Sequence, residues 1–332
     1  MFKKVIVFVM VLEVFLTFSV MSQVAPESDF QVELTKDGTG CVIIGYKGNS
    51  ENLIIPDSIE GFPVKEIGFS AFSAFTGRCM GFKSILIPKT VEKIGQHAFS
   101  YQTFSSFDFP DGCKEIGKSA FARSSLKNLK LPDSVESIGR GCFSGCREIQ
   151  SVELPKSLEI IDEEVFERCE SLKDIKLPYN LITIGNCAFR NCQNLEKVEL
   201  PESVKSIGKS AFENAQNLLI LKLPSGELHI HGGAFRNCGI VELTLTGNII
   251  YYKDYVDVGE SFYRTFSKCD KLETLIFDES VKSVDYSNII SSASLKNVIF
   301  KSPDTVVSAK SFVKNCPNLT LAAQSEIRKR IR

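Results

Sequence analysis

The chain has 332 residues, with 39 Lys and Arg set against 40 Asp and Glu for a formal net charge of −1. That balance removes any global electrostatic case for nucleic acid or an anionic membrane as partner. Hydrophobic residues at 43% and charged residues at 24% fit a folded soluble chain rather than a disordered one, and 25 Phe without a single Trp suggest one aromatic used repeatedly for one purpose.

Lys3 and Lys4 precede an apolar run from Val5 to Val20, and Ser22 places a small residue before Gln23. This pattern predicts a secretory signal peptide over residues 1–22 and a secreted or cell-surface location. The run is short for a membrane span and no later apolar stretch reaches spanning length, so no transmembrane span is expected in the mature chain. Residues 23–52 read as an N-terminal β cap. Phe30 to Leu34 alternates, Asp37-Gly38 is a hairpin-type turn, and Val42 to Ile44 resumes a strand.

From Leu53 onward the chain rewrites one phrase. Leu195-Glu-Lys-Val-Glu-Leu-Pro-Glu-Ser-Val-Lys-Ser-Ile-Gly-Lys-Ser-Ala-Phe212 matches Leu172-Lys-Asp-Ile-Lys-Leu-Pro-Tyr-Asn-Leu-Ile-Thr-Ile-Gly-Asn-Cys-Ala-Phe189 at every apolar position, the Pro, the Gly and the Ala-Phe. The marker prolines, from Pro56 and Pro88 to Pro201 and Pro224, lie 22 or 23 residues apart after a first gap of 32. A period of this size means a solenoid, whose units stack to share a core that none could bury alone. The predicted fold is α/β leaning to mainly β: one short parallel strand per repeat over residues 53–322, about twelve strands from Leu53 to Leu321 in one continuous sheet. The strand is the apolar pair before each Pro, such as Val198 and Leu200, at period two. Pro ends it because it has no N–H to donate.

After the Pro, Val204 and Ile207 point inward again, and Gly follows at 68, 95, 117, 139, 185 and 208. Asp162 and His231 replace it in two units, and both tolerate positive φ, so a left-handed backbone or a tight corner is predicted for this column. Next comes Phe72, Phe99, Phe121, Phe143, Phe166, Phe189, Phe212 or Phe235, a predicted buried column. Cys146, Cys169, Cys192, Cys238 and Cys269 each lie three residues after a marker Phe, in a column that Ser124 and Ala215 also fill. This reads as a stack of reduced core thiols rather than a disulfide framework. Residues 323–332 read as a solvated basic tail.

No catalytic, cofactor or metal site is expected. Gly112-Cys-Lys-Glu-Ile-Gly-Lys-Ser119 has P-loop spacing, but each of its residues has a repeat equivalent, so no nucleotide is expected to bind. His229 and His231 could share a strand face without forming a ligand set. Two surfaces stand out. In the column two before the Pro, Asp108, Lys130, Glu153, Lys176, Glu199 and Lys222 alternate in sign. They form either a self-neutralising ladder, worth ~0.2–1 kcal/mol per rung, or a charged floor for a protein ligand. The insertion from Gly247 to Arg264 carries Tyr251, Tyr252, Tyr255, Phe262 and Tyr263. Clustered aromatics suit a binding hot spot, or a loop folded back over the flank.

The phrase Leu-x-x-Val/Ile/Leu-x-Leu-Pro-x-Ser/Thr-Val/Leu/Ile-x-x-Ile-Gly-x-x-Ala-Phe/Cys-x-x-Cys resembles the BspA-like leucine-rich repeat family. So does the opening Asp37-Gly-Thr-Gly, Ile44-Gly-Tyr-Lys-Gly, Leu53-Ile-Ile-Pro and Ile59-Glu-Gly-Phe-Pro-Val-Lys-Glu-Ile-Gly. What the resemblance implies is a non-catalytic, secreted or surface module for adhesion and protein binding, with a partner such as a host extracellular-matrix or cell-surface protein. The alternative is an envelope or periplasmic structural or interaction scaffold without a host ligand.

Overall fold

The computed structural model of the protein describes residues 23–76, 81–247, 249–251, 265–284, 293–307 and 316–331. Strand β1 (Phe30–Leu34) pairs antiparallel with β2 (Cys41–Tyr46), and β2 continues in parallel onto Phe62–Ile67. In the connecting turn Asp37 accepts hydrogen bonds from the Thr35 hydroxyl and from the amide and hydroxyl of Thr39, which hold its carboxyl well below the usual range. The rings of Phe30 and Tyr46 lie 5.2 Å apart, and Tyr46 lies 6.0 Å from Phe72, so the hairpin covers the first core layer.

Each regular turn then contributes two short strands, not the single one expected. The first, before the Pro, forms the proline ladder. Its parallel sets are Asn52–Ile54 with Ser84–Leu86; Asn128–Lys130, Ser151–Glu153 and Asp174–Lys176; and Ile220–Lys222, Glu242–Leu245, Thr274–Phe277 and Asn297–Phe300. The second strand ends at the Gly corner and builds a glycine ladder, from Phe62–Ile67 through Lys93–Ile94 and Glu115–Ile116 to Ser137–Ile138. It resumes from Ile160–Ile161 through Thr183–Ile184, Ser206–Ile207 and Leu228–Ile230 to Ile249–Tyr251. The proline ladder is not continuous. It lapses at Phe107–Phe109, which belong to no strand and whose Phe107 and Phe109 rings lie 4.8 and 5.3 Å from Phe121. It lapses again at Val198–Leu200.

The Gly column is a tight corner, and its φ values are not left-handed. A Cβ at Gly208 would sit 2.5 Å from the Asn186 amide nitrogen, and one at Gly139 would sit 2.6 Å from that of Lys118. Only glycine lets the backbone of one turn pass so close to the last. The left-handed residues come two and six positions later, as at Ser119 and Arg123 (φ 53° and 59°) or Cys187 and Asn191 (φ 56° and 63°). They shape an arch whose alternate amides reach the next turn: Ser119, Phe121 and Arg123 donate to the carbonyls of Arg140, Cys142 and Ser144 at 2.9, 2.9 and 2.8 Å. The amides between them bond back within their own turn. A left-handed non-glycine residue costs roughly 1–2 kcal/mol, and these inter-turn bonds offset that cost.

The predicted Phe column is buried throughout and extends to Phe266. Its rings stack face to face, with centroids 5.2 Å apart and planes 2° apart for Phe212 and Phe235, and 5.7 Å and 8° for Phe143 and Phe166. The thiol column runs beside it. Cys146, Cys169, Cys192, Cys238 and Cys269 each donate to the carbonyl of the marker Phe one turn earlier, at 3.0, 3.4, 3.1, 3.0 and 3.2 Å. Gln102 makes the same bond to Phe72 with its amide at 2.6 Å. Among the described cysteines none is bridged.

Burial pushes the Cys146 thiol up to about 11 and that of Cys269 to about 12, and it raises Cys169 and Cys192 as well. The stability gained from a neutral Cys146 thiol is therefore present below pH 9 and lost as pH rises through about 11. Maleimide at pH 8 should label half-exposed Cys187 well before Cys146, Cys169 or Cys192, as read by peptide mass spectrometry. Equal labelling of all four would mean that the column is open.

The C-terminal residues are not a solvated tail. Leu321–Arg330 is an α-helix capped by Thr320, whose hydroxyl accepts from the Ala323 amide at 3.2 Å. Leu321 is accordingly the first helical residue and not part of a twelfth strand. Ala323 and Ile327, four apart, share the buried face, while Arg328, Lys329 and Arg330 sit in the last turn, where the helix dipole favours cations. Arg330 lies 4.6 Å over the Phe300 ring, and Ile331 bridges Val307 in the separate parallel pair Ser283–Val284 and Val306–Val307. Polar letters hid a covering helix.

Candidate functional site

The strands Asn128–Lys130, Ser151–Glu153, Asp174–Lys176 and Ile220–Lys222 bury their central residue (Leu129, Val152, Ile175, Leu221) and turn the two flanking residues to solvent. The predicted charge column therefore lies on an open sheet face. Lys130 is in register with Glu153, Nζ to Oε2 at 3.6 Å, but both side chains are more than 70% exposed. Such a pair contributes ~1 kcal/mol at most. Glu153 is also in register with Lys176. Glu199 instead turns to Lys197 on its own turn, at 2.6 Å, and that pairing lowers the carboxyl and raises the ammonium. Lys222 stands opposite Thr244, and Asp108 lies outside any strand. Among the described residues the alternating column closes only its Lys130–Glu153 rung as an ion pair.

Where the ladder lapses, the face opens. Only a bridge from Asp174 to Lys197 joins the 197–200 segment to its neighbours. A crevice of about 680 Å³ lies on one side, between Val198–Leu200 and Leu219–Lys222, and one of about 470 Å³ on the other, against Lys176, Leu177 and Tyr179. Their surroundings are unusually apolar for this face: Tyr179, Leu219 and Ile220 are 71%, 47% and 65% exposed. Lys176, Glu199 and Lys222 line the same two crevices.

The Tyr-rich insertion divides in two. Ile249–Tyr251 pairs with Leu228–Ile230, so the backbone of Tyr251 belongs to the glycine ladder and the extra residues begin after it. Tyr252, Tyr255, Phe262 and Tyr263 lie outside the described residues. Gly117 is a corner glycine and Ser119 a left-handed arch residue with no helix after them, which accounts for the P-loop spacing. His229 contacts Glu227 at 3.1 Å. Among the described residues no cluster of His, Cys, Asp or Glu is placed to hold a metal ion, and no helix is long and apolar enough to cross a membrane.

The more buried charge alternation lies elsewhere, in the column after the marker Phe. Arg190 pairs with Glu167, its Nε to Oε1 at 3.0 Å, and Arg236 with Glu213 at 3.5 Å. Beside it Asn214 donates to Asn191 and Asn237 to Asn214, each at 2.7 Å, all three left-handed. Both were readable at 23-residue spacing. These arches consume their own polar groups and leave little for a ligand.

Short strands in register, a corner glycine and a stacked Phe spine define a leucine-rich repeat solenoid. The family model described as BspA type leucine rich repeat region matches in six copies, over residues 65–195, 136–257 and 183–320, and the chain belongs to that family. A leucine-rich repeat protein from Bacteroides ovatus is similar in structure, with a TM-score of 0.65, 22% identity, and 90% of this chain and 81% of that one covered. A T. pallidum leucine rich repeat protein matches with a TM-score of 0.37 and 24% identity, over 92% of this chain and 95% of that one. The pneumococcal vaccine antigen PcpA matches with a TM-score of 0.45 and 21% identity, over 90% and 96%. None of the curated proteins compared matches the chain.

Proposed function

We propose that the chain is a non-catalytic, secreted or surface-exposed protein-binding module whose partner docks on the proline-ladder face around Val198–Leu200. One observation carries this reading: the sheet lapses at that point, and exposed Tyr179, Leu219 and Ile220 border two crevices there. Apolar and aromatic anchors beside pockets, within a charged surround, are what a protein interface needs. Lys130, Glu153, Lys176, Glu199 and Lys222 supply that surround and favour a partner of mixed charge. Tyr252, Tyr255 and Tyr263, outside the described residues, are proposed as further contacts on sequence grounds alone, since Tyr gives large contact area at small entropic cost. The signal-peptide pattern of residues 1–22 and the family support a location where extracellular-matrix or cell-surface proteins are the partners.

The test is a binding screen of the processed chain against immobilised matrix and cell-surface proteins, repeated with Tyr179→Ser combined with Ile220→Ser. Both side chains are exposed, so folding should be nearly unchanged, while a hot spot lost would weaken binding by more than ~2 kcal/mol. Undiminished affinity in the folded double variant would move the site off this face. Failure of every such protein to bind would favour the envelope scaffold.

A further inference from the structure

The N-terminal end carries a second concavity, separate from the strand face. It lies between β2 and the arches of the first two turns and has a volume of about 590 Å³. Two phenylalanines wall it: Phe69 and Phe75 are 67% and 71% exposed, whereas the marker Phe column from Phe72 to Phe266 is fully buried. The Phe75 ring lies 5.0 Å from Tyr101, and Phe69 stands edge-on to His97 at 6.1 Å. Phe75 occupies the position that holds a carbonyl-bonded thiol in later turns. The irregular first gap turns it outward instead.

The polar groups of the pocket are as unusual as its rings. The side chains of Gln31, Ser70, His97 and Tyr101 all line it, and none forms a hydrogen bond with another described group. Later turns treat the same columns differently. The next counterpart of Tyr101, Arg123, lies 5.4 Å over its ring, and further along Asn191, Asn214 and Asn237 bond to one another. Below the rim, the hydroxyls of Ser73 and Ser100 are buried and bonded together at 2.7 Å. Among the described residues no charged side chain lines the pocket; the Arg123 guanidinium over Tyr101 is not part of the lining. Burial, with Lys118 nearby, keeps the pKa of His97 low, so at neutral pH one ring nitrogen donates and the other accepts.

A purely apolar ligand would leave four polar side chains without partners, at a cost in affinity for each. A phosphate or carboxylate would meet no cation among the described lining residues. A ligand with apolar faces and several neutral hydroxyls satisfies both parts. We propose that this pocket binds a neutral glycan, with the C–H face of one pyranose ring stacked on Phe75 and Phe69 and its hydroxyls bonded to Gln31, Ser70, His97 and Tyr101.

The test uses the full chain on an array of neutral and sialylated oligosaccharides. Retention by at least one neutral class is expected. Phe75→Ala and Gln31→Ala should each weaken it tenfold or more with no change in thermal midpoint, since both side chains are exposed. The chain has no Trp, so Phe69→Trp places a single indole at the rim, and its emission should shift saturably when the retained oligosaccharide is titrated. Tyr179→Ser with Ile220→Ser should leave glycan binding intact, which separates this site from the protein-binding face. Three results would each overturn the assignment: no retention, retention confined to sialylated glycans, or binding that neither pocket variant weakens and the indole does not report.

Discussion

Phe189→Ala is expected to lower the stability of the chain by about 3–5 kcal/mol, the range for truncating a fully buried Phe. The ring has no solvent exposure and is stacked between Phe166 at 5.5 Å and Phe212 at 5.1 Å. The cavity has little means of closing. The Phe189 amide donates to the Ala211 carbonyl at 2.7 Å, and the Phe166 amide donates to Ala188 at 2.8 Å, so both neighbouring arches are pinned at the height of the missing ring. In a solenoid each unit is stabilised by its contacts with the next, and a central spine ring serves two interfaces at once. Urea unfolding followed by far-ultraviolet circular dichroism measures the loss. A value below ~1 kcal/mol would mean that the spine is incidental and that the aliphatic ladders hold the turns together.

The spine was legible because Phe, Cys and Pro recur at fixed offsets, and burial follows from offset in a stacked repeat. The second strand was not, because two residues such as Ser206 and Ile207 are too few to show a period. The corner glycines were half legible. Their residue type signalled a constraint, but the constraint is the 2.5 Å approach at Gly208 rather than a left-handed φ. The truly left-handed positions hold Gly141, Gly145 and Gly233 and Asn191, Asn214 and Asn237, but elsewhere Ser, His, Glu, Cys, Arg, Lys and Tyr. At those other residues the conformation is imposed by hydrogen bonds to the next turn, and only the scattered Gly and Asn announce it. The Glu167–Arg190 and Glu213–Arg236 pairs were visible in principle, since their signs alternate at the repeat spacing. The open face at Val198–Leu200 was not visible, because Val198 and Leu200 keep the same apolar pattern as paired turns. Phe69 follows the corner glycine in a column that holds exposed polar residues in later turns, such as Gln96, Lys118 and Arg140, so its exposure follows from register; Phe75, at the position of the buried thiols, looks like a core residue and is not one.

Ile327→Ala should cost about 2–5 kcal/mol, but that loss should appear in a different place. Ile327 is fully buried in the helix that packs on Asn297–Phe300 and Val306–Val307 and closes the last core layer. A solenoid transmits stability from neighbour to neighbour, so weakening its terminal cap frays the final turns before the centre responds. Hydrogen exchange read by mass spectrometry should show faster exchange at Thr274–Phe277 and Asn297–Phe300. Asp174–Lys176 should keep its protection and the main thermal transition should scarcely move. The contrast with Phe189→Ala is the informative part, since the two side chains are equally buried and differ in position along the stack. Uniform loss of protection along the chain in Ile327→Ala would show that the described turns unfold as one cooperative block and that the helix is integral to it. No change anywhere would show that Arg330 over Phe300, with the Thr320 cap, is enough to seat the helix.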